Sequence, residues 1–149
     1  MSRIENEVLQ AYLEDSLHIL TASLEQVENG AAPFYRVVAL QLRLLLCDSS
    51  RRHNRLEDTS LAEQLFPDLT LPALAPPHAP MPLAQWLEQP AAAGLTVRQL
   101  IRRVCDQDGG AHVDPHPQAG LPDLPPQEIQ AAIYRLGQLT AQSLRQRLG

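Results

Sequence analysis

The densest set of reactive side chains in this sequence lies in CDQDGGAHVDPH, from Cys105 to His116. His112, Asp114 and His116 fall at alternate positions, and an extended backbone puts alternate side chains on one face. Two imidazoles and a carboxylate so placed can converge on a divalent metal ion such as zinc or manganese, with Asp106 or Asp108 closing the set. Without a metal, His112 and Asp114 remain candidate catalytic residues. Gly109-Gly110 would then let backbone N–H groups come close to a ligand. The pattern has neither the helical HExxH spacing nor the third histidine common in hydrolytic zinc sites. A plainer reading stands beside the chemical one: Asp108-Gly109-Gly110 forms a tight turn, and His112 and Asp114 hydrogen-bond its backbone.

Arginines supply the second chemical feature. The chain has no lysine, so all 12 basic residues are arginine, and a Walker A phosphate loop, a Schiff-base lysine and a lysine general base are excluded. Arg36 and Arg43 stand seven residues apart in the apolar run FYRVVALQLRLLLCD, hence on one helix face, which Leu40 and Cys47 extend. A guanidinium in such a place needs a carboxylate, a carbonyl or an anion. Glu14, Asp106 and Asp114 are the expected partners, and a phosphate-like ligand held in a bidentate fork is the sharper reading. Arg98, Arg102 and Arg103 put positive charge on the polar face of a later helix, just ahead of the histidine loop. A net charge of -5 nevertheless argues against binding nucleic acid by bulk charge, leaving only a local patch for RNA.

The elements that must position these groups follow from periodicity and punctuation. With 149 residues, 44% of them hydrophobic, the chain suits one domain over residues 1–149. Leu9, Leu13, Leu17, Leu20, Leu24 and Val27 advance by threes and fours, which predicts a long amphipathic helix, with Ile4, Val8, Tyr12 and Ile19 widening its stripe. Asn29-Gly30 stops it and Pro33 starts a second helix reaching about Asp48, apolar almost all round and so expected at the centre. Residues 49–58 read as an exposed connection. Ser60 and Glu63 form a capping box for a short helix ending before Pro67.

Six prolines between 67 and 82 forbid a helix there, and Leu69, Leu71 and Leu74 suggest an extended strap laid on the bundle. Pro82 starts a short helix that Trp86 anchors on the core and Pro90 ends. Thr96 and Gln99 cap a helix carrying Val97, Leu100, Ile101, Val104 and Cys105, which is expected to stop at Asp108-Gly109-Gly110. The last helix runs through Ile129, Ile133, Leu136, Leu139 and Leu144. No hairpin turn chemistry is evident, so the fold class is all-α: a bundle of four main helices, two short ones and a proline-rich irregular middle.

FYRVVALQLRLLLCD, LFPDL and TVRQLIRRVCDQDGGAHVD together resemble a group of small uncharacterised bacterial helical proteins with a GGAHVD motif, over about a third of the residues. The chain is also distantly similar to HEPN domains, helical bundles whose ribonuclease members place a histidine four to six residues after an arginine at a helix end. That likeness implies Arg102, Arg103 and His112 as catalytic residues, although eight residues separate Arg103 from His112 here. The leading expectation is a small cytoplasmic binding or assembly module, homodimeric through helices because one bundle of this size does not cover both the wide stripe of the first helix and the last helix, with a protein or RNA partner and no membrane span. The competing one is an enzyme using the 108–116 loop, either a HEPN-like ribonuclease or a metal-dependent hydrolase.

Overall fold

The computed structural model describes residues 3–31, 34–47, 60–74, 79–111 and 127–148, with the side chains of 3–6 and 106–111 outside the description. The periodic stripe of the N-terminal segment folds as α1 (Arg3–Glu28), burying Leu13, Leu17, Leu20 and Leu24. Its end is a Schellman motif: Gly30 N–H donates to Val27 O at 3.0 Å and Ala31 N–H to Gln26 O at 2.9 Å, with Gly30 at φ 95. The chain thus reverses at once into α2 (Phe34–Leu42). This second helix touches α1 and both later long helices, the central place its apolar sequence requires. It runs on as a five-residue π-helical stretch, Arg43–Cys47, that keeps Leu45, Leu46 and Cys47 buried.

α3 (Leu61–Leu65) begins at Ser60, whose hydroxyl accepts from Glu63 N–H at 3.2 Å. The described residues of the proline-rich middle, 67–74 and 79–82, form a strap on the bundle. Its β1 (Thr70–Leu71) pairs antiparallel with β2 (Met81–Pro82), Thr70 opposite Pro82, and Leu69 and Leu71 are buried. α4 (Leu83–Trp86) follows, with the Trp86 indole fully buried and its Nε1–H donated to Pro72 O at 2.9 Å. The one tryptophan therefore fastens its helix to the core and to the strap together.

α4 stops at Trp86, and its expected terminator, Pro90, lies four residues further on. Pro90 opens β3 (Pro90–Ala92), which pairs antiparallel with β4 (Leu95–Thr96) around Ala93 and Gly94 at φ 54 and φ 75. Two successive positive φ values are the signature of a type I′ hairpin turn, so the expectation of no hairpin is overturned, although the class remains all-α. Ala93 N–H donates to Glu128 Oε2 at 2.9 Å, tying the turn to the last helix.

α5 (Val97–Ala111) starts at the expected capping box, with Thr96 N–H to Gln99 Oε1 at 2.9 Å and Gln99 N–H to Thr96 Oγ1 at 3.2 Å. It does not stop at Asp108-Gly109-Gly110 but continues through both glycines. α6 (Gln127–Leu148) closes the bundle, burying Ile129, Ile133, Leu136 and Leu144. At Gly137 it comes so close to α1 and α2 that an added Cβ would stand 2.9 Å from a Leu24 methyl and 3.1 Å from a Val38 methyl. α1, α2, α5 and α6 are the four main helices, and α3 and α4 the two short ones. No helix among the described residues is long and apolar enough to cross a membrane.

Candidate functional site

His112, Asp114 and His116, the proposed metal and catalytic set, lie outside the described residues. Gly109 and Gly110 lie inside it, in the last turn of α5. A helical N–H points back to the carbonyl four residues earlier, so these two glycines form helix instead of the tight turn that would turn their amides to a ligand. Arg102 and Arg103 are exposed on α5, opposite the buried Leu100, Ile101, Val104 and Cys105. Arg98 Nε reaches Glu88 Oε2 at 3.2 Å, a pair open to solvent on both sides and therefore weak. Among the described residues no group of three or more His, Cys, Asp or Glu side chains gathers as a metal site.

Arg36 and Arg43 sit half-buried along α2 and its π-helical continuation, and neither is free. Glu14, one expected partner, accepts from Gln10 Nε2 at 3.1 Å. Cys47 and Cys105 are buried thiols, as cysteines in apolar helical patterns should be.

Two other places stand out: a polar cleft that was not legible in the sequence, and an apolar face whose α1 part was the expected self-association stripe. Glu14, His18, Thr21 and Glu25 recur at i, i+4, i+7 and i+11 on α1, so they share one side of the helix, where they line an open cleft of about 300 Å³ with Arg145 of α6. Thr21 donates to Leu17 O at 2.9 Å and accepts from Arg145 Nη2 at 2.7 Å, which holds the guanidinium in the cleft with the carboxylates. The spacing on α1 was visible, but Arg145 is 124 residues from Thr21. At the other end of α1, Tyr134 of α6 donates to Glu28 and accepts from Gln138 Nε2 at 3.0 Å. The hydrogen bond to Glu28, helped by desolvation, raises the Tyr134 phenol above its ordinary value.

The other place is apolar. Val8, Tyr12, Ile19 and Leu40 are the large hydrophobic side chains left exposed among the described residues, at 46%, 60%, 43% and 44%, and all four belong to α1 and α2. At about 100° per residue, Val8, Tyr12, Asp15 and Ile19 occupy a sector of α1 only about 60° wide. Ser16 lies next to that sector, and its buried hydroxyl donates to Gln41 Oε1 of α2 at 2.5 Å. The core leucines of α1 lie beyond Ser16, on the far side from Val8 and Tyr12. On α2, Leu40 likewise lies about 100° from Gln41, away from the buried Val38 and Leu42. The two exposed sectors therefore open on the same outer side of the α1–α2 layer and make one face.

No protein-family model matches the chain, and no curated protein or solved structure is significantly similar to it.

Proposed function

We propose that the protein is a binding and assembly module that self-associates as a homodimer in the cytoplasm through the face shared by α1 and α2. The observation carrying this reading is the concentration there of all four large hydrophobics that stand exposed among the described residues. Single exposed apolar residues scattered over a surface need no explanation, whereas a contiguous group marks a contact surface. Burying a side chain of this size fully is worth about 1.5–3 kcal/mol, so four half-exposed ones offer a driving force of the right order for association. The sequence also favours a protein partner over bulk nucleic acid, because α1 carries six acidic residues against one arginine.

Light scattering on the eluate of a size-exclusion column, over a dilution series, tests the proposal. The expected mass is that of two chains, falling to one for Tyr12→Glu, whose charge cannot be buried without a partner. A wild-type mass of one chain at tens of micromolar refutes it. RNA-dependent association, or a wild-type dimer indifferent to Tyr12→Glu, would move the working surface to the arginines or the loop after α5.

A further inference from the structure

Beyond self-association, we infer that Trp86, Gln89 and Arg135 wall a groove for an extended peptide, that residues 69–74 of the strap are its resident occupant, and that a Leu-x-Leu-Pro-x-Leu segment of another protein binds by displacing them. The segment lies on the body of the protein as a bound peptide would. β1 touches both α4 and α6. Leu69 and Leu71 are buried while Thr70 and Pro72 are exposed, the alternation of an extended chain with one side in a groove. Leu74 is half-buried and packs against the same core.

The polar groups of the walls are addressed to the backbone of this segment. Trp86 Nε1–H donates to Pro72 O at 2.9 Å, Leu74 N–H donates to Gln89 Oε1 at 3.3 Å, and Arg135 Nη2 donates to Leu74 O at 2.7 Å. Trp86 ends α4, Gln89 follows it in the next turn, and Arg135 comes from α6, so all three lie outside the strap. Any extended segment carries the backbone groups they use, whereas the places filled by Leu69 and Leu71 choose between side chains. That division of labour is how extended peptides are recognised. The occupant is also an incomplete match. Gln89 Nε2 is buried and has no hydrogen-bond partner among the described residues. An unmet buried donor is costly, so a rival that brings a carbonyl or hydroxyl to Gln89 gains a bond that the strap leaves unmade. The strap's advantage is its tether, which supplies an effective concentration on the order of millimolar. A free peptide of the strap's own sequence competes with that concentration, so its apparent Kd in wild type falls at about a millimolar.

The chain has a single tryptophan, so a proton–nitrogen correlation spectrum of the full-length protein contains one indole signal, that of Trp86 in the groove wall. The probe is a synthetic peptide of residues 68–74 with a nitroxide at its C-terminus, which broadens that signal when it seats beside Trp86. Leu71→Asp and Leu71→Ala should vacate the groove, shifting the indole signal while keeping the helical circular dichroism. In either variant the peptide should bind at least about tenfold more tightly than in wild type, which has a tethered rival. The same peptide carrying Leu69→Asp and Leu71→Asp should leave the signal sharp in all three proteins, and adding Arg135→Gln to Leu71→Ala should weaken uptake. Loss of the helices in both Leu71 variants makes the strap a fixed part of the core and overturns the proposal. So does an indole signal that stays sharp in wild type at several times the roughly millimolar concentration of the tether. Broadening without peptide, by a second copy carrying the nitroxide on Thr70→Cys, gives the groove to another copy's strap and overturns the choice of partner.

Discussion

Removing the hydroxyl of Ser16 should cost more than its small size suggests, because of what is left behind on α2. Ser16 is 5% exposed and Gln41 6%, and their 2.5 Å hydrogen bond lies between the two helices that carry the proposed face. In Ser16→Ala the Gln41 carbonyl oxygen is left buried without a donor, a penalty of about 1–3 kcal/mol. In Gln41→Leu the serine keeps a fallback, since a helical hydroxyl can turn to the carbonyl four residues earlier, so the loss should stay under about 1 kcal/mol. Changing both together removes the unmet group and leaves two apolar side chains in contact, which can be nearly neutral. The double variant should therefore be more stable than Ser16→Ala alone, with a coupling of at least about 1 kcal/mol. For a chain of this size each kcal/mol moves Tm by roughly 2–4 °C. Urea and thermal unfolding of the four proteins, at one fixed concentration because dimerisation raises apparent stability, measures the cycle. Strict additivity of the two single effects would refute the claim that these side chains act as a pair.

Gly137→Leu should destabilise by about 1–3 kcal/mol or prevent folding, because the Leu24 and Val38 methyls already fill the space of a Cβ, and urea unfolding measures it. Asp68 is held below its ordinary value, first by its hydrogen bond with Arg147 at 2.8 Å, so its contribution is present above the unfolded carboxylate value near pH 4 and lost as acid protonates it. The Arg147→Gln variant should show a shallower acid limb in stability measured from pH 6 to 2. Tyr134 is shifted the other way, so its contribution is whole below the unfolded phenol value near 10 and fades as pH rises through the folded one, and Glu28→Gln should move an ultraviolet tyrosine titration to lower pH. His112→Ala and Asp114→Ala should leave the dimer mass unchanged by light scattering, since neither belongs to α1 or α2.

What could be read in advance was local. The stripe of α1, the central α2, the capping box at Thr96 and the cap at Ser60 each depend on residues three or four apart; the first three formed as expected, and at Ser60 the hydroxyl half of the expected box is present. Trp86 and the leucine strap followed from size and from proline's exclusion of helix. The β3–β4 hairpin escaped because its turn uses Ala93 where the left-handed conformation favours Gly, Asn or Asp, and only tertiary support from Glu128 explains an alanine there. Gly109 and Gly110 looked like a stop, yet a glycine costs a helix only about 1 kcal/mol, which a continuing helix can absorb.

The candidate sites were less legible for a plain reason. Arg145 with Thr21, Arg147 with Asp68 and Arg135 with Leu74 O join residues 61 to 124 positions apart, and no periodicity reports such pairs. The wide stripe on α1 was visible as an excess of apolar residues. Only the packing showed that Val8, Tyr12 and Ile19 stay outside the core and that Leu40 joins them on the same side.

The most direct test of self-association through α1 and α2 is the mass of wild type and of Leu40→Asp by light scattering across dilution. The proposal predicts two chains for wild type and one for Leu40→Asp at the same concentration, with unchanged helical circular dichroism. A single-chain wild type, or a Leu40→Asp dimer as tight as wild type, would contradict it.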